Sequence, residues 1–204
     1  MENLEHWLID AGHSSFRFTL RHLVIHEIQG GFSRWGGDLI FDRTEPYLSR
    51  VLVWVDLASI DTGDAERDAQ VRSPEFLDVQ RFPRAEFRST HVSVRDHEPA
   101  VVSGRLTLHG VAHDVQLTIE SQRNSTDADG RIRAVYTITG KVDRQAFGLR
   151  WNQDLDAGGV VVGDDVRLQV EAALVRAPAR AASPDKHAPD FDADAGVGPA
   201  ASGR

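Results

Sequence analysis

The feature that most constrains this chain is an alternation of apolar and polar residues that recurs along most of its length. In "SSFRFTLRH" Phe16, Phe18 and Leu20 share one side with His22, while Ser15, Arg17, Thr19 and Arg21 share the other. A period of two is the period of a strand with one dry and one wet face. Leu39 and Phe41 repeat it, and Val51, Val53, Val55 and Leu57 form one side of a longer run. Leu106 and Leu108 precede a turn at Gly110, and Val115, Leu117 and Ile119 return from it. Ile132, Ala134, Tyr136 and Ile138 follow, and Val166, Leu168, Val170, Ala172 and Leu174 close the series. With a less regular run over 85–94, these predict an all-β chain of eight antiparallel strands, a barrel or sandwich. No alternation of strand and helix patterns appears, which argues against a parallel sheet.

One region breaks the rhythm. "DTGDAERDAQVRSPEFLDVQRFP" (61–83) carries helix signals. Asp61 or Thr62 is placed to cap a first short helix, with Asp64 and Glu66 in its opening turn. Ser73-Pro74 suits the start of a second, whose apolar side is Phe76, Leu77, Val79 and Phe82. A helical insertion of this kind is expected to lie over a barrel mouth as a lid.

Composition narrows the function. A net charge of −8 and no basic cluster argue against nucleic-acid binding. Without cysteine, thiolate nucleophiles, zinc ribbons and iron–sulfur clusters are excluded. "MENLEHWLID" shows no basic, then apolar, leader, and no run approaches the roughly 20 apolar residues of a membrane span. The chain is therefore expected to be cytoplasmic, or periplasmic if a leader once preceded it. After Arg176 the sequence turns to Ala, Pro, Asp, Gly and Ser. The domain is expected over 1–176, with 177–204 a disordered tail; alternatively that tail docks on a neighbouring subunit through Phe191.

Several stretches together resemble the YceI-like family. "WLIDAGHSSFRFTLRHL" is similar to its opening signature and "IQGGFSRWGGDLIFD" to its second strand. "SIDTGDAERDAQVRSPEFLDVQRFPRAEFRST" resembles its longest stretch, and "GRLTLHGVAHDVQLTIE" and "DRQAFGL" complete the set. The resemblance covers about 6–176. It implies a lipocalin-like, eight-stranded antiparallel barrel with a short helical insertion and an elongated apolar cavity. It also implies binding of a long apolar ligand (a polyisoprenoid, a quinone tail or a fatty-acid derivative) and a homodimer. The chain departs from the family pattern at Gln70-Val71, where His-Leu is common, in lacking a leader, and in its tail.

Given such a barrel, the candidate ligand-lining residues are Phe16, Phe18, Leu20, His22, Phe32, Leu39, Phe41, Val53, Val55, Phe76, Leu106, Leu108, Leu117, Ile119, Tyr136 and Ile138. They either wall a dry tunnel or fill a solid core, since an eight-stranded barrel permits both. A prenyl chain has no hydrogen-bonding groups, so its binding must come from buried apolar area.

The histidines suggest less. His22 and His26 have the spacing of a helical metal pair but lie where a strand ends, so no metal site and no cofactor is expected. His13 and Ser14 are adjacent on a strand and point to opposite faces, which denies them the hydrogen bond of an activated nucleophile. Capping at the barrel entrance is their expected role. Arg144 is read as structural, paired with Asp61 or Asp68, or else as the contact for an anionic head group. Trp35, Trp54 and Trp151 either line the cavity or wedge a barrel end. The chain is thus read as a non-enzymatic carrier of an isoprenoid or other long-chain lipid. The alternatives are a lipid-modifying enzyme at the cavity mouth, using His22, Arg144 and an acid, and a stress-related interaction protein with a solid barrel.

Overall fold

The alternating runs become strands in a computed structural model of the chain, which describes residues 4–22, 26–94, 100–126, 132–151 and 162–177. Among these are β1 (Leu4–Ile9), β2 (Ser15–His22), β3 (His26–Phe32), β4 (Trp35–Asp42), β5 (Arg50–Asp56) and β6 (Ile60–Asp61). Then follow α1 (Ala65–Arg72), β7 (Arg84–Ser93), β8 (Ala100–Leu108), β9 (Val111–Thr126), β10 (Ile132–Asp143) and β11 (Val162–Arg176). The pairing order β1-β4-β5-β7-β8-β9-β10-β11 returns to β1, so the sheet closes on itself as an eight-stranded antiparallel barrel. Closure leaves that ring without a free edge. The expected all-β barrel with a short helical insertion is the fold observed. Beyond Ala177 the tail expectation lies outside the described residues.

Three neighbouring strands run on past the ring after a kink. β2 continues β1, and both pair with β11. β3 leads into β4, and β6 continues β5. Between β1 and β2 the turn Ala11–His13 interrupts the ladder, and Ser14 repairs it. Its hydroxyl donates to the Asp10 carbonyl at 2.7 Å and accepts the Ala173 amide at 2.9 Å. At the second kink Ser59 does similar work: its hydroxyl accepts the Arg34 amide at 3.0 Å and donates to the Asp56 carbonyl at 2.7 Å. Each serine thus gives an acceptor to an amide, Ala173 or Arg34, at a point where the kink interrupts the ladder. The expected capping role of the His13-Ser14 pair holds for Ser14, but at a mid-strand kink and not at the entrance.

Inward residues follow the period of two, so Phe16, Phe18 and Leu20 face the interior together. Phe16 meets Phe32 and Trp35 edge-on, both at 5.6 Å between ring centres. Phe18 lies so close over Gly30 that a Cβ there would stand 2.5 Å from its ring. The β8–β9 hairpin turns on His109 and Gly110, both at positive φ, as a two-residue turn requires.

The insertion corrects two expectations. The cap of α1 is Asp64, not Asp61 or Thr62: its carboxylate accepts the amides of Glu66 and Arg67, each at 3.1 Å. Asp61 instead accepts the Gly63 amide. Residues 73–82 form no second helix. The amides of Leu77 and Val79 return to the Val71 and Arg72 carbonyls at the end of α1, and Asp78 turns left-handed (φ 44°). That conformation ends helical propagation. The apolar residues therefore separate, Leu77 going into the core and Phe82 against His109.

Candidate functional site

The barrel is hollow. Its interior holds a cavity of about 630 Å³, within the size range of small-molecule sites. Of the two alternatives the alternation leaves open, a dry tunnel and a solid core, the structure has the cavity. The walls are almost wholly aliphatic and aromatic, contributed by every strand of the ring. Ala85, near the start of β7, and Val94, just past its end, both line it. Nine residues at about 3.3 Å each, tilted by about 40°, make the space some 20–25 Å long.

One end is covered. Thr62, Arg67, Gln70, Val71, Phe76 and Leu77 bring α1 and the following turns over the rim, and Phe76 stacks on Trp151 at 4.7 Å. Asp68, 6% exposed, ties α1 down by accepting the Thr62 amide at 2.9 Å and its hydroxyl at 2.7 Å. Arg72 adds donations to the carbonyls of Ala58 and Ile60. At the opposite end Val94, 61% exposed, and Ala100 and Pro46 line the opening side.

Each candidate lining residue except His22 borders this cavity. Phe16, Phe18 and Leu20 share it with Phe32, Leu39, Phe41, Val53 and Val55, and with Phe76 of the insertion. Leu106, Leu108, Leu117, Ile119, Tyr136 and Ile138 complete the far wall. The His22 side chain lies outside the described residues. Trp35 and Trp151 line the cavity, whereas Trp54 packs outside the barrel beneath Arg84, 4.9 Å from its ring. Phe87, Val102, Leu149 and Ile28 also line the wall; Phe87 lies in the less regular run 85–94, where the alternation gives no clear face.

The polar wall residues differ in what they have left to offer. Arg144 is 6% exposed. It donates to the carbonyls of Gly163, Leu149, Trp151 and Val162 and to Asp164. Its expected partners, Asp61 and Asp68, are corrected to Asp164 and four backbone oxygens. All its donors are used, so it staples the end of β10 to the start of β11 and offers nothing to a head group. Arg67 donates twice to Thr62 and stands 3.8 Å from Asp64. Tyr136 is different. It points inward between Ala134 and Ile138, opposite Gln122 across the β9–β10 pair. Burial raises its phenol pKa above 10.0, so the group stays protonated.

Comparison with known proteins places this geometry. The YceI-like domain model matches residues 7–174. The chain belongs to the YceI-like family. A UPF0312 protein of Photorhabdus laumondii is 34% identical over 142 residues, 70% of this chain and 73% of that protein. One from Pseudomonas savastanoi is 35% identical over 69% of this chain and 73% of its own length. Among solved structures, the barrel of Burkholderia cenocepacia BcnA superposes with a TM-score of 0.68 at 20% identity, covering 81% of this chain and 98% of BcnA. A polyisoprenoid binding domain from Saccharophagus degradans gives 0.56 at 18% identity, over 84% and 98%. These likenesses establish the YceI-like barrel for this chain.

Among the described residues His13 and Ser14 do not form a catalytic pair, and the alternative built on the His22 side chain lies outside them. His13 Nδ1 lies 3.0 Å from Asp10, but the neighbouring Ser14 hydroxyl is occupied by the backbone of the kink. Among the described residues no three His, Cys, Asp or Glu side chains converge as a metal site would need.

Proposed function

We propose that this YceI-like protein binds and carries a long apolar chain, a polyisoprenoid, a quinone tail or a fatty-acid derivative, inside its barrel and without chemistry on it. The observation that carries this reading is the 630 Å³ cavity walled by hydrocarbon. Such a wall discriminates by area alone, at about 25 cal/mol per Å² removed from water. The description of the Saccharophagus domain as polyisoprenoid-binding supports the same ligand class. The saturated Arg144 and the occupied Ser14 support binding over catalysis. A homodimer belongs to this reading on the family resemblance.

Native mass spectrometry of gently purified protein tests it. A co-purifying lipid of constant mass, recovered unaltered, is the expected result. Protein that carries no lipid and takes up no prenyl probe would refute it; turnover of the bound lipid would assign an enzyme instead.

A further inference from the structure

The cavity has two ends of different chemistry. Its lining cations, Arg67 and Arg144, both stand at the end covered by α1. Each is already paired, Arg144 with Asp164 at 3.2 Å and Arg67 with Asp64 at 3.8 Å. Toward the other end the wall holds Tyr136 and Gln122, cross-strand neighbours that face the same interior. No protein group among the described residues accepts from the Tyr136 hydroxyl. The hydroxyl is open to the cavity and not sealed among side chains, so it is free to donate to a bound molecule. Among the described residues no cation lines this end, so an anionic head here would be desolvated without a lining counter-charge, at a cost that a single phenol does not offset.

We infer that Tyr136 is the head-group donor of the cavity, and that the ligand it selects carries a neutral oxygen acceptor, such as a quinone or ester carbonyl, at the end of its apolar chain. This rests on the carrier reading and sharpens it. The head lies beside Tyr136 and Gln122, and the tail runs toward α1. From Tyr136 to Val142, both on the lining, β10 alone provides about 20 Å of wall. Protonation of the phenol across the physiological range keeps it a donor to that acceptor.

The test uses the full chain, its Tyr136→Phe variant and three probes of one length: a tetraprenyl benzoquinone, the saturated C20 hydrocarbon phytane, and tetraprenyl diphosphate. Affinities come from calorimetry, and the quinone carbonyl stretch from infrared difference spectra. In the wild type the carbonyl band shifts to lower frequency on binding. Y136F removes that shift and weakens quinone binding about three- to tenfold, the worth of one hydrogen bond. Phytane affinity stays within twofold, which also shows that the variant is folded. If Y136F binds quinone as tightly as the wild type with the same band, the role of Tyr136 is overturned and the carrier reading stands. If the diphosphate outcompetes the quinone tenfold or more, the neutral-head inference falls and Arg67 becomes the head-group contact. If the wild type binds none of the three, the carrier reading itself fails and takes this inference with it.

Discussion

Replacing Val53 with Phe puts a ring into the middle of the proposed binding space. Val53 lines the cavity and packs against both apolar clusters of the barrel, one around Phe18, Trp35 and Leu57, the other around Phe87, Val92 and Val102. At about 30 Å³ per carbon-sized unit, 630 Å³ has room for about twenty carbons, or four prenyl units. In the wild type, affinity for a series of prenyl alcohols should therefore rise with each unit and level off near the fourth. The Phe side chain, a benzyl group, brings about four carbons more than the isopropyl group of Val. Each ligand carbon it displaces forgoes about 0.8 kcal/mol, giving a loss of about 3 kcal/mol, roughly 200-fold, for a chain long enough to pass residue 53. A two-unit alcohol, which fits on either side of the ring, should bind as before. Because the ring enters space and not packed core, the melting temperature should hold or rise. Calorimetric titration of alcohols of one to six units reads the whole pattern. An unchanged plateau and unchanged affinities in V53F would show that the chain binds elsewhere; a wild-type affinity indifferent to chain length would show the same without the variant.

Two further variants separate scaffold from site. Arg144→Met orphans four carbonyls and Asp164, and should cost about 3 kcal/mol, seen as a fall of about 6–12 °C in melting temperature. Affinity for a tetraprenyl alcohol should stay within about twofold; a large loss of affinity at unchanged stability would make Arg144 a ligand contact. Asp68→Ala frees α1 from Thr62, so amide exchange over 65–72 should accelerate and the bound alcohol should dissociate several-fold faster. Faster exchange with an unchanged dissociation rate would show that α1 does not gate the cavity.

How much of this was readable before the structure depends on the reach of each interaction. Alternation is local, so the strand faces of Phe16–Leu20, Leu106–Leu108 and Val115–Ile119 were legible, and with them most of the lining. Whether those faces meet across the barrel or stand apart is not local, and identical alternation describes a filled and a hollow barrel. The partners of Arg144 were hidden for a different cause. Four of them are backbone oxygens, and a carbonyl carries no sequence identity. The 61–83 stretch misled because Ser73-Pro74 is a sound helix start, yet the left-handed Asp78 and the return of amides onto α1 were decided by the rim they cover. Tyr136 stood among the apolar candidates by position alone. Only the contents of the surrounding wall show that its hydroxyl differs from its neighbours.

A hollow barrel raises the question of what replaces the missing core, since interiors are normally packed to the density of organic crystals. The answer lies in how this one distributes its packing. The closed ladder leaves the ring no unpaired edge, and the kinked strands β2, β3 and β6 extend past it. Around the kinks Phe16, Phe18, Phe32 and Trp35 pack on one another, and near the covered end Leu57, Ile60, Leu77 and Leu149 are nearly inaccessible. Much of the buried core is thus gathered at the kinks and beneath the insertion, with a second cluster at Phe87, Val92 and Val102, while Val53, Leu117 and Ile138 of the wall between stay half-buried against the cavity. A chain bound there would complete the packing that these residues lack and would favour the folded state by mass action. Stability and the proposed ligand binding would be coupled through the same wall: the middle can stand open because the kinks and the stapled ends hold the barrel shut elsewhere.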